Sequence, residues 1–187
     1  VLFSHDTEHA LHTVVDLVNT GPAATEDEHL PDLVALKAFV DRNQVSDVCD
    51  LDAHDLDATL RLRDRFHGVF QAPSDTEATV GRINAIIAEA RTTPHLTDHD
   101  EWDWHVHFFA PGSRLAEHLA AECGIALAYV VAAGELDRLS VCEAPDCERV
   151  LIDLSRNRCR RYCDSRTCGN RMHVAAYRAR QRDSAPR

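Results

Sequence analysis

Apolar residues recur at helical spacing through the first half of the chain. From Asp6 to Thr20, Leu11, Val14, Val15 and Val18 keep the i, i+3, i+4, i+7 pattern of one helix face, and Gly21-Pro22 ends it. An acidic loop, Ala23 to His29, follows. Pro31-Asp32 opens a second helix to about Arg42 with Leu33, Leu36 and Val40 inward. His54 to Gln71 reads as a third, with Leu56, Leu60, Phe66 and Phe70 as core candidates. A fourth starts at Pro73-Ser74, where Ser74-x-x-Glu77 has the form of a capping box, and buries Val80, Ile83, Ile86 and Ile87. The period then changes to two: in Glu101 to Phe109, Trp102, Trp104, Val106 and Phe108 alternate with Asp103, His105 and His107. This predicts a strand with an apolar inner face and a polar outer one. Its polar residues can also be read as a small-molecule or second-metal site. After Pro111-Gly112, a long helix capped by Ser113 runs to about Ala133 with Leu115, Leu119, Ala126, Leu127 and Val130 inward, and Gly134 stops it. Leu136 to Val141 is a short strand candidate. The fold expected is mainly α with a small β component, an α+β class.

Length and charge divide this picture in two. A chain of 187 residues has room for one medium domain and a small appendage. From Cys142 onward, eleven arginines against six acids give +5, so the rest of a chain of net charge −11 carries −16. An acidic body with a basic tail confines any phosphate contact to the tail. The start, VLFSHDTEHA, has neither the basic segment nor the apolar core of a signal peptide, and no apolar run reaches membrane-spanning length. With seven cysteines, an odd number and four of them paired for metal, the expectation is a cytoplasmic protein with no membrane partner. His5, His9 and His12 lie on one part of the first helix at metal-compatible spacing, although solvated histidines are the commoner outcome there. Arg61, Arg63 and Arg65 are expected to pair with Asp57 and Asp64.

The chemistry gathers in Cys142 to Arg182. Two Cys-x4-Cys pairs, Cys142/Cys147 and Cys163/Cys168, stand fifteen residues apart. Each pair can form a knuckle, and four converging thiolates make the closed tetrahedral site of a structural Zn2+. Between Ser155 and Arg182 there are nine arginines and one acid, Asp164. Those near the cysteines favour thiolates and metal uptake. Beyond Cys168 a helix from Asn170 sets Arg171, Arg178 and Arg182 on one face at i, i+7 and i+11, with Met172, Ala176 and Ala179 as a separate apolar stripe toward the knuckle. Arg158, Arg160 and Arg161 lie in the arm before Cys163 and join them as candidate nucleic-acid contacts. No Pro/Gly/Ser-rich linker precedes Cys142, so body and finger are expected to pack together.

The runs Asp153-Leu154-Ser155-Arg156-Asn157, Arg160-Arg161-Tyr162-Cys163, Cys168-Gly169-Asn170-Arg171 and Tyr177-Arg178-Ala179-Arg180 resemble the CGNR zinc finger. That finger ends bacterial proteins with an N-terminal ABATE-type domain, described as stress-induced transcription regulators. Val14 to Thr20, VVDLVNT, is similar to that domain's hydrophobic-Asn-Thr signature. The resemblance implies an ABATE-type helical body over 1–141 and, over 142–187, a treble-clef-like or knuckle finger holding Zn2+ on Cys142, Cys147, Cys163 and Cys168. It also implies that the finger binds double-stranded DNA. Cys159 departs from the pattern, where a serine-like residue belongs; a small half-buried side chain is favoured over a competing ligand or a redox-active thiol.

The first functional reading is therefore a DNA-binding transcription regulator. Its body senses a small-molecule effector or forms a homodimer. The alternative is a protein- or ligand-binding module in which zinc is purely structural and the arginines meet an acidic partner, such as the body of a second copy. An enzyme is not expected: four cysteines leave no open coordination position for water, and no GxSxG, HExxH, P-loop or dinucleotide fingerprint is present.

Overall fold

The computed structural model describes residues 3–48, 50–71, 73, 75–98 and 104–183. The capping role expected of Ser74 and the facing of Trp102 and Asp103 lie outside the described residues. The body is built on four helices, α1 (His5–Val18), α4 (Ala53–Phe70), α5 (Thr76–Glu89) and α6 (Leu115–Ala132), with the one-turn α2 (Pro22–Thr25) and α3 (Leu33–Arg42) at its side. α6 is the hub and packs on α1, α4 and α5. It is long and apolar enough to cross a membrane. Here it is a core helix, burying Leu115, Leu119, Cys123, Ala126, Leu127 and Val130. Gly124 lets α5 come close, since a Cβ there would stand 2.9 Å from Ile87 Cγ1.

Acids cap three of the helix starts, and Ser4 caps α1. Asp32 accepts from the Ala35 N–H, Asp52 and Asp55 cap each other's backbone reciprocally, and Asp75 accepts from Ala78. At α6 the Glu117 carboxylate accepts from the Arg114 N–H, and Ser113 stands outside the cap. α3 turns Leu36, Phe39 and Val40 inward and leaves Leu33, its first residue, 37% exposed. In α4 the fully buried stripe is Leu62, Phe66, Val69 and Phe70; Leu56 and Leu60 sit at its margin. Arg63 belongs to the interior, reaching both Glu28 oxygens at 2.7 and 2.8 Å, while Arg65 pairs with Glu89. A contact from Arg63 to Asp64 remains at 3.8 Å. The guanidinium holds Glu28 below the usual carboxylate range.

Two small antiparallel sheets complete the fold. β1 (His95–Thr97) pairs with β2 (His105–His107), with His95 opposite His107 and Leu96 opposite Val106. The expected facing is reversed at residues 104–107, while Phe108 packs against the core as expected. Trp104 is 70% exposed and Val106 40% exposed, whereas His105 and His107 turn inward toward α6. The reason lies on α6: Glu122 accepts hydrogen bonds from the Phe108 N–H and the His107 ring, so the wall behind the strand is polar. Phe109, just past β2, supplies the apolar anchor and is fully buried.

The second sheet is where body and finger meet. A 3-10 turn (Leu136–Arg138) leads into β3 (Leu139–Val141), which pairs with β4 (Val150–Ile152). Period-two alternation gives β4 two faces. Val150 and Ile152 pack into the helical core, and Leu151 packs under the cysteines. Asn19, at the end of α1, joins this sheet by side chain: its Nδ2 donates to the Val150 carbonyl and its Oδ1 accepts from the Val150 N–H, both at 2.9 Å.

Candidate functional site

Cys142 follows β3 directly, and the turn from Cys142 to Cys147 joins β3 to β4 as a knuckle. The Cys142 N–H donates to Arg149 O and the Cys147 N–H to Ala144 O. Of the second pair, Cys163 stands just before Asp164, and Cys168 lies in a π-helical turn (Ser165–Gly169) at the entrance to α7 (Asn170–Asp183). Asp164 caps this turn through the N–H groups of Arg166 and Thr167. Gly169 is required by proximity: its N–H donates to Asp164 O at 2.9 Å, and a Cβ would lie 3.3 Å from that same oxygen. A knuckle followed by a helix that brings the second cysteine pair is a treble-clef-like arrangement.

The Sγ atoms of Cys142, Cys147, Cys163 and Cys168 all lie within 4.8 Å of one another. A tetrahedral ion with bonds of about 2.3 Å has sulfur–sulfur edges of about 3.8 Å. The Cys147–Cys163 separation is 3.7 Å, so the set is already the size that Zn2+ demands. Its electrostatics point the same way. Burial opposes the Cys142 thiolate, but the N–H groups of Ala144 and Cys163 outweigh it and the pKa falls; burial pushes Cys147 and Cys163 up. Burial thus holds the Cys147 and Cys163 thiols protonated until a cation compensates them, so the four-thiolate state belongs to the metal-bound finger. The ion would serve as a structural crosslink, with four protein ligands and no vacant position. Cys159 is exposed and outside this group. The expectation of a half-buried side chain is therefore corrected: the arm before Cys163 runs over the surface and gives it nothing to pack against.

The arginines separate by partner. Arg158 binds back to the body, to Glu135 at 2.6 Å and Asp137 at 3.2 Å. Arg160 donates to the Cys163 carbonyl at 2.6 Å and more weakly to those of Tyr162 and Ile152. Arg161 pairs with Glu143. Arg158 thus ties the arm to the body, and Arg160 and Arg161 hold the finger's own shape. Arg171 reaches toward Cys168 Sγ at 3.9 Å and Asp146 at 3.7 Å. Arg178 and Arg182, farther along α7, are exposed and have no acidic partner among the described residues. Met172 packs on the cysteine cluster, but Ala176 and Ala179 are exposed, because α7 runs off the finger beyond its first turns.

Buried groups lock the arm to the body. Asp153 accepts from the N–H groups of Ser155 and Arg160 at 2.8 and 2.7 Å. Arg138 donates to Asp153 O and Ser155 O and pairs with Glu135. The Asn19 clamp on Val150 was not anticipated from sequence. Its only trace was the polar Asn-Thr pair closing an apolar run, which reads equally well as a helix stop. The inward His105 and His107 were visible as a polar alternation but assigned to the wrong side. Glu122, a lone acid midway through apolar α6, was the signal that could have placed them.

Compared with family models, residues 138–181 match the CGNR zinc finger, and residues 11–134 match ABATE, described as "Putative stress-induced transcription regulator". No curated protein matches the chain.

Proposed function

Because the chain belongs to the ABATE family and ends in a CGNR zinc finger, we propose that it is a DNA-binding transcription regulator whose finger contacts double-stranded DNA and whose body senses a ligand. The observation that carries this reading is α7, an exposed helix presenting Arg171, Arg178 and Arg182 over about 16 Å, at 1.5 Å per residue, from a base fixed by the metal site. A row of that length meets several phosphates along one groove edge. Arg158, Arg160 and Arg161 fix the arm against the body and the knuckle and add positive charge beside the helix. The acidic body repels the duplex, so one chain binds modestly and two tails acting together bind better. The outer face of β1–β2, with Leu96, Trp104 and Val106 exposed, supports pairing of two copies.

A second reading keeps zinc structural and turns the tail toward an acidic protein, such as the body of another copy. It draws support from Arg158, Arg161 and Arg171, which already face acids of this same chain. Genome-wide recovery of DNA bound to the native protein decides between the two. Enrichment at a repeated motif supports the regulator, and absence of any enriched site supports the interaction module.

A further inference from the structure

The body contains a cavity of about 620 Å³ between the start of α1, the segment after α3, β2 and α6. Its walls are apolar at Ala10, Val45, Leu119 and Cys123. Its polar side is a collection of imidazoles. The two-residue period of β2 sets His105 and His107 next to each other on the inner face, with their Nε2 atoms 3.1 Å apart. Two imidazoles bound to one ion at about 2.0–2.1 Å stand about 3–3.4 Å apart, so this pair already has the bite of a chelate. Behind it, His107 Nδ1 meets Glu122 Oε1 at 3.0 Å, and that same oxygen accepts from the Phe108 N–H at 2.8 Å. A carboxylate on the far nitrogen fixes the ring and its tautomer and raises the basicity of the near one, as the outer partners of metal-binding histidines do. His107 and Glu122 are mostly buried, with side-chain exposures of 13% and 17%.

We propose that this cavity binds a divalent late first-row metal ion through Nε2 of His105 and His107, with Glu122 as the positioning residue. Imidazole donors suit zinc, nickel and copper over magnesium or calcium. With His107 Nδ1–H donated to Glu122, the contact between the Nε2 atoms is a hydrogen bond from His105 to His107. The ion takes the place of that proton, and His105 carries its own proton on Nδ1 instead, so both ligands stay neutral and no net proton is released. Among the described residues the four cysteines are the one group of three or more ligand atoms already drawn together. Among the described residues the histidine site supplies two nitrogens beside the cavity. His5 and His9, stacked on α1 at 6.5 Å, line the same cavity and stand on the side from which further ligands come. The proposal names the ligand of the sensing body and so rests on the proposed function for its consequence, though not for binding itself.

The test is nickel binding to the full, tag-free chain carrying its zinc, read by equilibrium dialysis and elemental analysis without DNA. The expected result is one nickel per chain beyond an unchanged zinc. His105→Ala and His107→Ala should abolish it, and Glu122→Gln, which keeps size and acceptor, should weaken it about 10–100-fold. If His107→Ala fails to fold, Glu122→Gln carries the test. No nickel retained by the wild type overturns the proposal. So does binding that survives the His105 and Glu122 changes but is lost in His5→Ala/His9→Ala, because the ion then belongs to the α1 pair. A chain that binds nickel here but no DNA overturns the regulator and leaves the metal site standing; one that binds DNA but no nickel does the reverse.

Discussion

Helices α6 and α7 are opposites. α6 is held by burial: ten of its residues are enclosed, and its neighbours press close enough to need Gly124. α7 is exposed along nearly its whole length, touching the rest of the molecule through Met172, Arg171 and the π-helical turn before it. A 14-residue helix with so little packing is marginal by itself. Its order comes from the metal site at its start and, in the proposed function, from phosphates along its side. The body is stabilised by what it hides and the tail by what it binds.

The largest expected effect breaks this comparison at the metal. Zinc binding to such a site is worth about 10–16 kcal/mol, so chelation or Cys168→Ser should melt α7 and the knuckle. Amide hydrogen exchange should then show the knuckle and α7 unprotected and β4, α4, α5 and α6 protected as before. Loss of protection in α6 together with α7 would show that the body depends on the finger for its own fold.

The next prediction concerns the seam. Asn19→Ala removes both hydrogen bonds to Val150 and leaves a part-buried N–H and carbonyl without them. At about 1–3 kcal/mol per unsatisfied group, the cost should be about 3 kcal/mol by denaturant titration. A cost below about 0.5 kcal/mol would mean that β4 is held by Val150 and Ile152 burial alone.

Inside the body, Glu28→Gln should cost about 2 kcal/mol by weakening the pair with buried Arg63. The pH dependence has a definite sign. Glu28 is held below its ordinary value near 4.5, so its contribution is complete above that pH and lost as pH falls through the lower folded value. Wild type and variant should therefore differ at neutral pH and converge in acid. A difference that persists unchanged into strong acid would remove the carboxylate as its cause.

How much of this was legible in the sequence follows from where the signals are local. Phe66 and Phe70 in α4, Ile83 and Ile86 in α5, the start of α7 at Asn170 and the cysteine spacing are read from periodicity and residue type within one element, whereas Leu62 and Val69 rather than Leu56 and Leu60 complete the α4 core. The orientation of β2 was not, because it is decided by Glu122, fifteen residues from His107 in sequence, and Trp104 and Val106 looked like the core face. The division of the arginines was not legible either. Arg158, Arg160 and Arg161 resemble Arg178 and Arg182 in sequence, and only the fold brings Glu135, Glu143 and the Cys163 carbonyl to the first three.

The central claim is that α7 faces phosphate, and the most direct measurement is the salt dependence of duplex DNA binding by wild type and by Arg171/Arg178/Arg182→Ala. Arg178 and Arg182 are exposed, so any change in stability should come through Arg171 and its contacts with Cys168 and Asp146. For about four neutralised phosphates, log K of the wild type should fall with log salt at a slope near −3.6, and the triple variant should bind more weakly with a slope near −0.9. Equal affinity and equal slope in the two proteins, or no binding by either at low salt, would contradict the account and leave the tail as a surface for an acidic protein.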